Sequence, residues 1–173
     1  MNSDLVSMIG NVSRSLYSVE SLIAGFGYLI GILFMITAVA KLKKTTGSSS
    51  QEGMLGPIAY FLGGAALIFL PTMLSTLSST AFGTGNVLQY IQYNPYNIYN
   101  SMGIVIQTAG LIWFVRGCVL LVHGSAPGVQ EGPKGLTFIA AGILATNFEY
   151  TFGILNYCMD HLLSLTGMGQ SGT

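Results

Sequence analysis

Two cysteines, Cys118 and Cys158, and two histidines, His123 and His161, are the soft ligands of this chain, and neither pair has the spacing of a metal site. The cysteines form no CxxC motif, and no carboxylate stands at ligand spacing from a histidine. There is no Ser/His/Asp arrangement and no pair of carboxylates at one depth, so neither hydrolysis nor metal chemistry is expected, and no catalytic residue, metal or cofactor is assigned. The residues that stand out are polar ones inside apolar stretches: Gln107, Arg116, Asn147 and Glu149. A charge held in hydrocarbon is costly enough that it faces a partner, a water cavity or a functional path.

Arg116 precedes His123 by seven residues, about 10 Å of helix, so its side chain can reach headgroups or hold a lipid phosphate through its planar fork. Glu149 has the shorter side chain and sits 14 residues after Gly135, about 21 Å along an unbroken helix. In an antiparallel hairpin Arg116 is level with about residue 141, roughly 12 Å short of Glu149, which makes a bond between them improbable. Glu149 then needs a neighbouring subunit or a wet lumen shared with Asn147 and Gln107. Such a lumen, lined by Gln107, Arg116, Asn147 and Glu149, would serve a small transporter or ion-conducting protein, the alternative to a structural role.

The elements that position these residues follow from composition. Of 173 residues, 51% are hydrophobic and 7% charged, with a mean hydropathy of +0.62; a soluble domain carries about a quarter of charged residues. Six basic and six acidic side chains cancel, leaving no field to attract nucleic acid, and sequence-specific nucleic-acid binding is set aside. Four stretches approach the roughly 20 apolar residues that span a bilayer: Ser21–Ala40, Leu55–Leu77, Met102–Val122 and Gly135–Cys158. Pro57 falls in the opening turn of the second, and Pro71 predicts a kink or stop toward its end.

The chain also repeats itself. A shift of 79 places Gln51-Glu52-Gly53 on Gln130-Glu131-Gly132 and Gly31 on Gly110, with ten identities over the 42 positions from Gly31 to Thr72. In that register Thr37 and Leu70 stand where Arg116 and Glu149 stand in the second copy, so the first hairpin suits lipid and the second protein or water. The predicted fold is an all-α membrane protein of four transmembrane helices, arranged as two tandem, parallel-related helical hairpins. An N-terminal interfacial helix precedes them, because Leu5, Met8, Ile9, Val12, Leu16 and Val19 have helical spacing; packing against a partner would leave the same pattern. The expected boundaries are 1–19 for that helix, 20–77 for the first hairpin, 78–101 for an outer loop, 102–160 for the second hairpin and 161–173 for a flexible tail.

Lys41, Lys43 and Lys44 in the first hairpin loop and Lys134 in the second place both loops on the cytoplasmic side, with both termini outside. These lysines and Arg116 are candidates for lipid contact or for facing a lumen. The outer loop, with Tyr90, Tyr93, Tyr96 and Tyr99, reads as a headgroup anchor. Small residues four apart, Gly27 with Gly31, Ala59 with Gly63 and Ala141 with Ala145, permit close helix approach.

The stretch GPIAYFLGGAALIFLPTMLSTLSSTAFG, residues 56–83, with the four-span layout, resembles the IcmC/DotE family and its TraQ-like conjugative relatives, small inner-membrane proteins of type IVB secretion and conjugation systems. The resemblance is most specific at Gly56, Pro57, Gly63 and Pro71 and implies no active-site role. Each half is also similar to a type IV secretion pilin, in which two hydrophobic helices flank a short basic loop, here KLKKTTGSSSQEG. These resemblances imply a bacterial inner-membrane structural subunit that associates with its own copies, with membrane lipid and with other components of the secretion system. The assembly would be a channel base or an extruded pilus, with a structural phospholipid rather than a cofactor as the bound small molecule.

Overall fold

The computed structural model describes residues 2–47, 54–83, 98–126 and 128–165. Every element among them is a helix: α1 (Asn2–Gly47), α2 (Leu55–Ile68), α3 (Leu70–Phe82), α4 (Ile98–His123), α5 (Gly132–Thr146) and α6 (Phe148–Leu165). α1 and α4 are each long and apolar enough to cross a membrane, and the bent pairs α2–α3 and α5–α6 reach that length only when each is counted as one span, so two to four helices can cross.

α1 runs for 46 residues, about 69 Å, without a break between the N-terminal segment and the span. A separate interfacial helix over 1–19 was the expectation; no proline interrupts the chain there, and one continuous helix forms. Met8, Ile9 and Val12 line an apolar cleft of about 360 Å³ with Met102, Val105 and Ile106 of α4. Met8 and Val12 remain exposed at 64% and 55%, so the cleft leaves much of the apolar row of the N-terminal segment uncovered.

The axis turns by 97° between α2 and α3 and by 95° between α5 and α6. At the first break Phe69 (φ −100°, ψ 35°) still donates its amide to Ala65 O at 3.0 Å. Pro71, the second residue of α3, has no amide to continue the ladder, which is the stop its position predicts. The second break, at Asn147, was not expected. A continuous span from Gly135 to Cys158, with Glu149 on an unbroken helix, is replaced by a helix end at Thr146. Asn147 has nearly the same backbone (φ −107°, ψ 42°) as Phe69, with no proline nearby. The backbone amide of Asn147 still bonds Ile143 O at 3.2 Å and its Nδ2 shares that carbonyl at 2.8 Å, while Thr151 Oγ1 donates at 2.8 Å to Leu144 O, the carbonyl that the next amide of a continuing helix would use.

α1 packs on α2, α4 packs on α5, and the two pairs meet through α1, α2 and α4. Their seam buries Leu67, Leu70, Leu74, Leu111, Phe114 and Cys118. Within the pairs the helices touch backbone to backbone. A Cβ on Gly31 would lie 2.8 Å from Gly64 O, and one on Gly110 would lie 2.9 Å from Gly142 O. Gly31 and Gly110 are 79 apart, yet their partners are 142 − 64 = 78 apart, and the breaks are 147 − 69 = 78 apart. The contacts of the second helices therefore match one residue away from the ungapped register.

The pairs are staggered as well. Glu20 on α1 accepts a hydrogen bond from Thr108 Oγ1 on α4, a separation of 108 − 20 = 88, nine more than the repeat of 79. Nine residues correspond to about 14 Å of helix. The tip of the α4–α5 pair accordingly lies beside the middle of α1 rather than beside its Lys-bearing end, and Gly63 of α2 abuts Val122 near that tip.

Helices reach into both ends of the loop expected over 78–101, since α3 extends to Phe82 and α4 begins at Ile98. Tyr90, Tyr93 and Tyr96 lie outside the described residues, as do Gln51-Glu52-Gly53 and residues 166–173; α6 reaches Leu165, into the segment expected as a tail.

Candidate functional site at the broken helix ends

The helix break at Asn147 collects most of the buried polar side chains. Ser78 of α3 is fully buried and donates its hydroxyl to Asn147 Oδ1. Asn147, 5% exposed, spends its amide on Ile143 O, and Gln107 Nε2 of α4 donates to Thr146 O at 3.3 Å. Next to Gln107, Thr108 Oγ1 lies 2.9 Å from Glu20 Oε1 and 2.8 Å from Ile104 O. Thr146 Oγ1 sits 3.0 Å from both Gly142 O and Ile143 O. Four elements, α1, α3, α4 and the α5–α6 break, are thereby tied at one height, and the Gln107 bond satisfies the Thr146 carbonyl freed where α5 ends.

Of the polar candidates, the structure unites Gln107 and Asn147 and leaves out the other two. Glu149 is exposed in the first turn of α6, where a carboxylate complements the helix dipole, and the break carries it outside the cluster. Arg116 is exposed, with its guanidinium 4.9 Å from the centroid of the Phe138 ring. Phe138 is within one turn of the level expected for its hairpin partner. The cluster of Gln107 and Asn147 is packed and internally paired, and Arg116 and Glu149 lie outside it within this chain.

The lysines fall at two heights. Lys41 Nζ lies 5.0 Å from the centroid of the Tyr60 ring, and Lys43 and Lys44 project from the end of α1, where cations suit the dipole. Lys134 is exposed in the first turn of α5, beside the tip of the shorter-reaching pair. Cys118 is buried in the seam and Cys158 is exposed on α6. Among the described residues, no three His, Cys, Asp or Glu side chains come together as metal ligands would.

The small-residue candidates divide. Gly31 is a close-contact position, Gly27 makes only ordinary contact with Leu67 and Leu70 at 3.8 Å, and Ala59 is half-buried. Gly63 serves the contact between pairs rather than within one. The strongest such signal went unread: Gly110 and Gly117 on α4 and Gly124 just past its end recur every seven residues and face Gly142, Gly135 and Gly132 of the returning segment. A seven-residue interval is close to two helical turns, so these glycines fall on one face and let the backbones touch.

No family model, no curated protein and no solved structure matches this chain.

Proposed function

We propose that the chain is a non-enzymatic, integral membrane structural subunit that associates with its own copies in a type IVB secretion or conjugation system. The observation that carries this is where polar and apolar groups lie. The polar side chains at the helix break are paired inside the molecule, while large apolar side chains such as Phe26, Leu33, Ile36, Leu55, Phe61 and Leu62 are exposed along α1 and α2. A lipid- or protein-facing exterior and a hydrogen-bonded interior suit a building block better than a conduit or a reaction site. The resemblance of residues 56–83 to inner-membrane components of these systems, and the similarity of each half to a pilin hairpin, supply the system; the tandem relation of the halves belongs to the same proposal.

In that arrangement the Lys-bearing end of α1 faces the cytoplasm of a bacterial inner membrane and Glu20 marks the outer boundary, with only uncharged residues from Ser21 to Ala40 between them, about 30 Å of helix. Arg116, stacked over Phe138 but exposed, offers its fork to a phospholipid phosphate. The test is electron microscopy and mass photometry of the full chain extracted in mild detergent. Rings or tubes of repeated copies are the expected result; a strictly monomeric particle at every concentration, in detergent and in nanodiscs, would remove the assembly role.

A further inference from the structure

α6 carries two opposed faces. Glu149, Gly153, Asn156, Asp160 and Ser164 recur at intervals of four, three, four and four residues, which makes one polar stripe, and Ile154, Leu155, Cys158 and Met159 lie on the other side. Every side chain from Phe152 to Leu165 is exposed, the apolar ones included. A polar stripe opposed to an apolar face suits a helix lying at an interface between water and an apolar phase.

Two further observations fix where this helix sits. It departs from α5 at 95°, so it runs across the bundle rather than along it. Its point of departure is also level with Glu20: Thr108 joins Glu20, the adjacent Gln107 joins Thr146 O, and Asn147 follows. Glu20 ends the uncharged stretch of α1 that closes at Lys41, and 20 residues of helix match a hydrocarbon core of about 30 Å. The break therefore stands at the bilayer boundary opposite Lys41, Lys43 and Lys44, and a helix leaving it at a right angle lies in the plane of that boundary.

We infer that α6 is a membrane-surface helix that inserts Ile154, Leu155, Cys158 and Met159 among the acyl chains of the outer leaflet and holds Glu149, Asn156 and Asp160 in water. Its 18 residues carry two acids and no Lys or Arg, so its grip comes from apolar insertion and not from anionic headgroups. The inference rests on the membrane setting proposed above but not on self-association, and a monomeric particle would leave it standing.

The test is a nitroxide scan of residues 152–161 in the full chain, reconstituted in phosphatidylcholine liposomes, with Cys118→Ala and Cys158→Ala as the background and single cysteines introduced in turn. Collision with oxygen and with a water-soluble nickel chelate gives the depth of each label. The expected result is two oscillations of opposite phase at the helical period with no drift in mean depth: Asn156→Cys and Asp160→Cys favour nickel, and a label at native Cys158 in the Cys118→Ala chain favours oxygen severalfold. Adding phosphatidylglycerol should leave the pattern unchanged. A steady change of depth with residue number would make α6 the second half of a span, and exclusion of both reagents from the apolar face would assign that face to protein; either result overturns the inference.

Discussion

Ser78 and Asn147 are 69 residues apart in sequence and share a hydrogen bond in which the buried hydroxyl of one helix donates to the side-chain oxygen at the break of another. This contact joins the α3 arm of the first pair to the α5–α6 corner of the second. Replacing Asn147 by Leu leaves the Ser78 hydroxyl buried without that acceptor, at a cost of about 1–3 kcal/mol. The double change with Ser78→Ala should recover part of the loss, with a coupling of about 1 kcal/mol in a double-mutant cycle of unfolding in mixed micelles. Strict additivity would mean that the two residues do not depend on each other.

Backbone contact at glycine predicts a sharp contrast. A Cβ on Gly117 would stand 2.7 Å from Ile139 N, and one on Gly142 would stand 2.8 Å from Phe114 N, so Gly117→Leu and Gly142→Leu must force α4 and α5 apart. The expected loss is about 1–3 kcal/mol each, or more. Gly25 and Gly103 have nothing within 4 Å of an added Cβ, and Gly25→Ala should stabilise the helix by up to about 1 kcal/mol. Thermal melts in a single detergent separate the two classes.

The bend at Phe69 should survive loss of its proline. Asn147 adopts the same backbone geometry with no proline nearby, and Leu70 and Leu74, each at most 1% exposed, anchor α3 in the seam. In Pro71→Ala, spin labels at the exposed positions Phe61 and Thr80 should keep the distance distribution of the parent chain. A shift to about 28 Å, the length of 19 residues of straight helix, would show that Pro71 alone makes the bend.

Arg116→Gln separates packing from lipid contact. An exposed cation over a ring contributes about 0.5–1 kcal/mol, so the melting temperature should move little. Phospholipid retained through detergent purification, counted by native mass spectrometry, should fall, and Arg116→Lys should restore it only in part because the ammonium lacks the planar fork. Unchanged lipid retention would leave Arg116 as a ring contact alone.

What the sequence made legible was governed by strong, local chemistry. Apolar length announced α1 and α4, and proline announced both the start of α2 and the end of that helix. The break at Asn147 was hidden because no proline marks it and the bonds around it, from Asn147 to Ile143 O, Thr151 to Leu144 O and Ser78 to Asn147, come from side chains whose types occur in unbroken helices as well as in loops. That Gln107 and Asn147 join one packed cluster through Thr146, with Glu149 outside it, was not legible, because one residue at the corner redirects everything after it. The stagger was hidden for a similar reason: it is set by Thr108 meeting Glu20 across two elements, and nothing in either segment alone encodes the other's height. The glycine intervals on α4 and α5 were in plain view and needed only a period of seven to be seen.

Close glycine faces have a mechanical consequence. Where Gly31 meets Gly64 and Gly110 meets Gly142, no rotamer stands between the two backbones that could yield, so each pair of helices moves as a single stiff blade. The seam between the blades is made instead of leucine, phenylalanine and cysteine side chains, which can re-seat against one another. Any displacement of one blade past the other therefore re-seats those side chains and breaks the Thr108–Glu20 and Ser78–Asn147 hydrogen bonds that cross between the blades.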